Sequence, residues 1–144
     1  MDYSGIPDPG LEVDMKIEPK NPPRVYEVGR GAVVRMRDCG SVRLEPDEQL
    51  TFTTEQGAEY DLARKNWGFY ATPSLNGRLL QFGLHAVLVK NKIGRYFVLL
   101  MEQGKQAEFD EYIRLEELEI MAMMDSTENL ERLESALKQA GGLP

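Results

Sequence analysis

Cysteine, histidine and tryptophan occur once each in this chain, as Cys39, His85 and Trp67. A single cysteine excludes a disulfide within the chain, and a single histidine excludes a centre built from two or three imidazoles. Neither a stapled scaffold nor a histidine-rich metal site is expected, and no metal or other cofactor is assigned. The longest apolar stretch is interrupted by Lys90, Asn91 and Lys92, well short of the roughly eighteen apolar residues that a membrane-spanning helix takes. Residues 1–10 lack both a basic start and an apolar middle, so no secretory leader is expected. These absences together predict a cytoplasmic protein with no membrane association.

Signatures of nucleotide and acyl-transfer chemistry are missing as well. There is no Gly-rich phosphate loop ending in Lys-Ser or Lys-Thr, and Gly29-Arg30-Gly31 has no third glycine behind it, so it reads as a turn. No Gly-x-Ser-x-Gly elbow occurs, and a serine triad would have to be assembled around the lone His85. Cys39 falls in an expected turn after Arg35 and Arg37, whose charges favour the thiolate, but no second member of a nucleophile motif accompanies it.

What is present is an ordinary globular composition, 42% hydrophobic and 28% charged over 144 residues, which suits one domain around one core. The formal charge of −7 is unevenly spread. Residues 61–95 hold one acid, Asp61, against six bases, whereas residues 96–134 hold eleven acids against three bases. A basic middle followed by an acidic third points to an anionic partner for the middle, or to two blocks that face each other within the fold. Nucleic acid is disfavoured, because its affinity is dominated by cation–phosphate contacts and the chain as a whole is acidic.

Five of the eight prolines lie in residues 1–23, where no apolar period is visible apart from a brief alternation of Val13, Met15 and Ile17. This segment is expected to be a flexible arm, or an edge strand over that alternation. Residues 24–140 are expected to form a single β-rich domain, with 141–144 as a tail. Between Val25 and Val98 apolar residues alternate and turn residues recur, predicting antiparallel strands over 32–36, 41–45, 49–54, 59–63, 79–89 and 95–101. The segments 84–89 and 96–101 form the best hairpin, and their near-continuous apolar character predicts a central position covered on both faces. From Lys105 to Glu117 the period becomes helical, with Phe109, Tyr112 and Ile113 on one face. Residues 118–124 read equally as strand or helix. A last helix is expected after an Asp125 cap, with a stripe of Leu130, Leu133 and Leu137 facing the sheet or a second copy in a homodimer. The fold class is therefore α+β: a β-rich antiparallel sheet, sandwich or barrel with C-terminal amphipathic helices.

One segment concentrates hydrogen-bonding and aromatic groups. Residues 60–78 hold Arg64, Lys65, Asn66, Trp67, Tyr70, Asn76 and Arg78, with Phe69, Thr72 and Ser74 between them. Aromatic faces stack, guanidinium forks hold carboxylate or phosphate, and amides read hydroxyl groups. The same residues also serve as core anchors and turn formers. The functional expectation is a non-enzymatic binding module or accessory subunit that presents Arg64, Lys65, Asn66, Trp67, Tyr70, Asn76 and Arg78 to an anionic or hydroxyl-rich small molecule, or to an acidic partner protein. The alternative is a small metal-independent enzyme acting on a sugar-like or phosphorylated small molecule, with His85 or Asp61 as the proton-transfer group. No set of catalytic residues is assigned.

Overall fold

The computed structural model describes residues 14–142. They form an α+β, β-rich fold of three separate antiparallel sheets, with no closed barrel. Strands β1 (Lys16–Val28) and β2 (Val34–Arg43) make a two-stranded ribbon. Strands β3 (Gln49–Thr53), β4 (Glu59–Lys65) and β5 (Gly68–Ala71) form the second sheet in that order. After the one-turn helix α1 (Arg78–Gln81), strands β6 (Leu84–Lys90), β7 (Tyr96–Glu102) and β8 (Glu119–Met123) form the third, ordered β7-β6-β8. Helix α2 (Gln106–Leu115) connects β7 to β8, and α3 (Thr127–Gln139) follows β8. No helix among the described residues is long and apolar enough to cross a membrane.

The ribbon departs from expectation. Strand β1 begins at Lys16, inside the segment read as an arm, and crosses the expected boundary after residue 23; residues 1–13 lie outside the described range. Prolines are compatible with this strand because a two-stranded ribbon consists only of edges, and the register breaks between Pro19 and Arg24, where Pro22 and Pro23 lie. Gly40 pairs with Pro19 in mid-strand, so the expected strands 32–36 and 41–45 merge into one. The Gly29-Arg30-Gly31 turn is present, between β1 and β2.

Strands β3 and β4 and the β6–β7 hairpin match the alternation, Leu84 opposite Glu102 and Lys90 opposite Tyr96. The expected strand 79–89 divides, because residues 78–81 turn into α1 and Gly83 reverses the chain at a φ of 82°. Strand β6 is central and buried, but β7 is an edge and largely exposed, which corrects the expectation of burial for both. Residues 118–124 adopt the strand alternative. Helix α3 is capped by Ser126, whose Oγ accepts from the Asn129 amide at 3.1 Å, not by Asp125.

The core sits where the second and third sheets meet. Ala58, Leu79, Leu84 and Ala86 are buried together, with Tyr60, Leu75 and Met124 packed around them. Among the described residues eight apolar side chains are buried, against twenty-two large hydrophobic ones that are exposed. A core this small leaves most of the apolar surface in water, and exposed apolar surface on this scale marks interaction sites.

Candidate functional site

The segment 60–78 is not a simple loop. It contains the end of β4, a two-residue turn at Asn66 and Trp67, strand β5, and the approach to α1. Pairing of Lys65 with Gly68 closes the turn, and Gly68 takes a φ of 144° that a side chain would resist. Trp67 therefore stands at a hairpin tip, 69% exposed, with Phe69 60% exposed beside it. Tyr70 is exposed on the next position of β5.

Strand periodicity then divides the candidate residues between two faces. Arg64 lies opposite Phe69, while Ala63 lies opposite Tyr70. Asp61 and Lys65 share the face of Ala63 and Tyr70, because they differ from it by two positions. Arg78 reaches that same face: its Nη2 donates to Asp61 Oδ2 at 3.2 Å, and its guanidinium carbon lies 5.0 Å from the Phe82 ring centroid. Asp61 also accepts from Thr51 Oγ1 at 2.6 Å and is buried. Lys65 pairs with Asp47. The structure thus brings Arg64 and Phe69 to one side, sets Arg78, Lys65 and Tyr70 on the other, and leaves Asn66 and Trp67 at the hairpin tip.

Asn76 is engaged elsewhere. Its Nδ2 donates to Thr127 Oγ1 at 2.9 Å, which ties the segment before α1 to the first residue of α3. His85 Nδ1 makes a 2.8 Å hydrogen bond to Asp125 Oδ2, tying β6 to the start of the same helix. Both carboxylate oxygens of Asp61 and one nitrogen of His85 are therefore occupied by groups of the fold. The two candidate proton-transfer residues hold elements together.

On the Arg64 side, an open cleft of about 520 Å³ lies between the end of the ribbon and the β4–β5 hairpin. Glu18, Ser41, Val42, Arg43 and Leu44 form one wall, and Arg64 and Phe69 the other. Arg64 Nη1 donates to the Leu44 carbonyl at 3.1 Å, which seats the guanidinium across the cleft base. The Asp47 amide donates to the Arg64 carbonyl, and the Arg64 amide to the Glu48 carbonyl, at 2.6 and 2.8 Å. Glu48 is held in turn by the amides of Glu45 and Asp14, at 2.8 and 2.9 Å. Those amides, that of Glu45 first, hold the Glu48 carboxyl below its ordinary pKa. Arg43 makes no ion pair among the described residues.

Chemically the cleft offers two guanidinium groups and one aromatic face, with Glu18 as a single opposing charge. That combination suits a carboxylate-bearing ligand that also has an apolar portion. Sequence reasoning missed Arg43, Ser41 and Glu18, because they lie outside the crowded segment and only the end of the ribbon brings them beside Arg64. The one available signal was the Arg43–Leu44–Glu45–Pro46 run, where a strand ends before a proline turn. No family model matches the chain, and no curated protein or solved structure matches it.

Proposed function

We propose that the protein is a non-enzymatic binding module, an accessory subunit that takes an acidic segment of a partner protein into the Arg43–Arg64 cleft. The observation that carries this reading is the cleft itself: two arginines and Phe69 converge on it from separate elements, and the exposed Trp67 stands next to it on the same hairpin. Aromatic and arginine side chains are the groups that dominate protein interfaces. The cleft is open, so an extended acidic segment can lie in it with its carboxylates at the arginines and its apolar side chains against Phe69. Of the residues expected from sequence, Arg64, Asn66 and Trp67 serve this surface, together with Phe69. Lys65, Tyr70, Asn76 and Arg78 lie on the opposite face or are bound to other elements.

The alternative of proton-transfer catalysis by Asp61 or His85 has no comparable support, since each is committed to an internal hydrogen bond. Calorimetric titration with an extended peptide alternating glutamate and leucine tests the proposal. Arg43→Ala and Trp67→Ala are expected to abolish the binding seen with the parent while changing stability by less than about 1 kcal/mol, as exposed side chains ordinarily do. Equal binding by parent and Arg43→Ala would remove the cleft from the account.

A further inference from the structure

Strand β7 presents a bare edge. One side pairs with β6; the other side pairs with nothing in its sheet. Its sequence from Tyr96 to Met101 is six apolar residues without interruption, bounded by Arg95 and Glu102. Tyr96, Phe97, Val98 and Leu100 are exposed, Val98 by 58%. Because Phe97 and Val98 are consecutive, their side chains lie on opposite faces of the sheet. Phe97 and Leu99 share a pocket with Tyr112 of α2 and Met101 is buried, whereas Tyr96, Val98 and Leu100 on the other face are exposed and the edge is open.

Natural sheets guard such edges with charge, proline, bulges or short strands, because an unprotected edge is a template for another strand. The other edges of the two three-stranded sheets carry these devices. Strand β5 has four residues. Strand β3 has only five residues, three of them the polar Gln49, Thr51 and Thr53. Strand β8 begins with Glu119 and meets β6 through a register shift between Leu88 and Val89. Strand β7 has seven residues, a regular register and no charge before Glu102.

Charge says what covers it. Lys90 lies opposite Tyr96 on the same face, its Nζ 5.4 Å from the ring centroid. Glu102 stands at the other end of β7 on that same face, six positions along, where it accepts from Thr54 Oγ1 at 2.5 Å. The strand is thus basic at its start and acidic at its end. Two copies aligned antiparallel place each basic end beside an acidic one, whereas parallel alignment would place like charges together.

We infer that β7 pairs antiparallel with β7 of a second copy, centred on Leu99, to form a two-fold dimer with a continuous six-stranded sheet. In this register Tyr96 faces Glu102 of the second copy, whose carboxylate then lies beside the Lys90 ammonium. The same contact recurs across the axis, as a two-fold interface requires. The contact is independent of the acidic-segment cleft, and either can fail without the other.

Sedimentation equilibrium of the full chain tests it. The parent is expected at twice the 16.3 kDa chain mass, and Val98→Lys at the chain mass with its circular dichroism unchanged, since Val98 is exposed in the single chain. Lys90→Glu and Glu102→Lys are each expected to weaken the dimer, and the two together to restore it. A parent at the chain mass at every concentration would overturn the inference, as would a dimer that survives Val98→Lys. If Val98→Lys fails to fold, the charge exchange decides: no loss in either single variant, or no recovery in the double, contradicts the pairing. Binding of the glutamate–leucine peptide by the Val98→Lys monomer separates this result from any failure of the cleft.

Discussion

Replacing Leu79 with alanine is expected to destabilise the protein by about 2–5 kcal/mol, the cost of emptying a fully buried leucine site whose surroundings relax only in part. Leu79 is 0% exposed on the single turn of α1, where it packs with Ala58, just before β4, and with Leu84 and Ala86 of β6. Two of those three neighbours are alanines, too small to close over the cavity. With so few buried apolar residues, one such loss is a large part of the whole stability, which for domains of this size is only about 5–15 kcal/mol. Leu133→Ala makes the contrast. That side chain is 37% exposed on α3, so its loss is expected to shift stability by less than about 1 kcal/mol. Urea unfolding of both variants measures the difference; equal effects would mean that the core lies elsewhere.

Removing the Glu116 carboxylate is expected to free the β1–β2 ribbon from the rest of the molecule. Glu116 sits at the C-terminal end of α2, and its Oε2 accepts from the amides of Arg30, Gly31 and Ala32 at 2.7, 2.7 and 3.0 Å. Three converging amides bind one oxygen as they would an anion. The fit is close: a Cβ on Gly31 would stand 2.1 Å from the Leu115 carbonyl oxygen. Glu116→Ala and Gly31→Ala should therefore produce the same result by different routes, fast hydrogen exchange across residues 16–43 with β6 still protected. The ribbon is poorly placed to survive alone, since a two-stranded hairpin is marginal in water without a layer against it.

Acid should reproduce the effect. The amides of Ala32 and Gly31, with a smaller part from Arg30, hold the Glu116 carboxyl below its ordinary value of 4.5. A carboxyl lowered in the folded state adds stability above that ordinary value and loses it as pH falls through the folded one. Protection of the ribbon amides, taken relative to the intrinsic exchange rate at each pH, is expected to fall as pH drops below about 4.5 in the parent and to be low at every pH in Glu116→Ala. Exchange over 16–43 that is slow in both variants would show that the clamp does not hold the ribbon.

Local pattern made much of the fold legible. Period two located β3, β4 and the β6–β7 hairpin, and the change to a helical period located α2 and α3, because those segments alternate or repeat against a single buried face. The ribbon was hidden by its prolines, whose usual meaning is reversed where both strands are edges. The exposure of β7 was hidden for a different reason: an unbroken apolar run reads as a buried strand, and only the sheet order shows that the strand is an edge, with Tyr96, Val98 and Leu100 exposed.

The site was legible in part for a related reason. Crowding of polar and aromatic residues drew attention to 60–78 as one surface, but three positions along a strand separate Asp61 from Arg64 and send them to opposite faces. Charge asymmetry between the middle and the C-terminal third is met only in part by ion pairs. Arg78 pairs with Asp61 within the basic block, Arg114 and Arg132 pair with Glu111 and Glu128 within the acidic one, and Lys92 pairs with Glu117 between the two. Each block keeps its excess charge, and the cleft takes one cation from the basic block, Arg64, and one from outside both, Arg43.

Trp67 reports on that cleft directly, because it is the only tryptophan and stands exposed at the hairpin tip beside Phe69. Its fluorescence can be followed while the parent protein is titrated with the glutamate–leucine peptide, and again with a peptide alternating lysine and leucine. The account predicts a saturable blue shift with the acidic peptide, as the indole leaves water, and none with the basic one. An emission maximum that stays in place throughout the acidic titration, or that shifts equally with both peptides, would contradict the assignment of the Arg43–Arg64 cleft as a site for acidic segments.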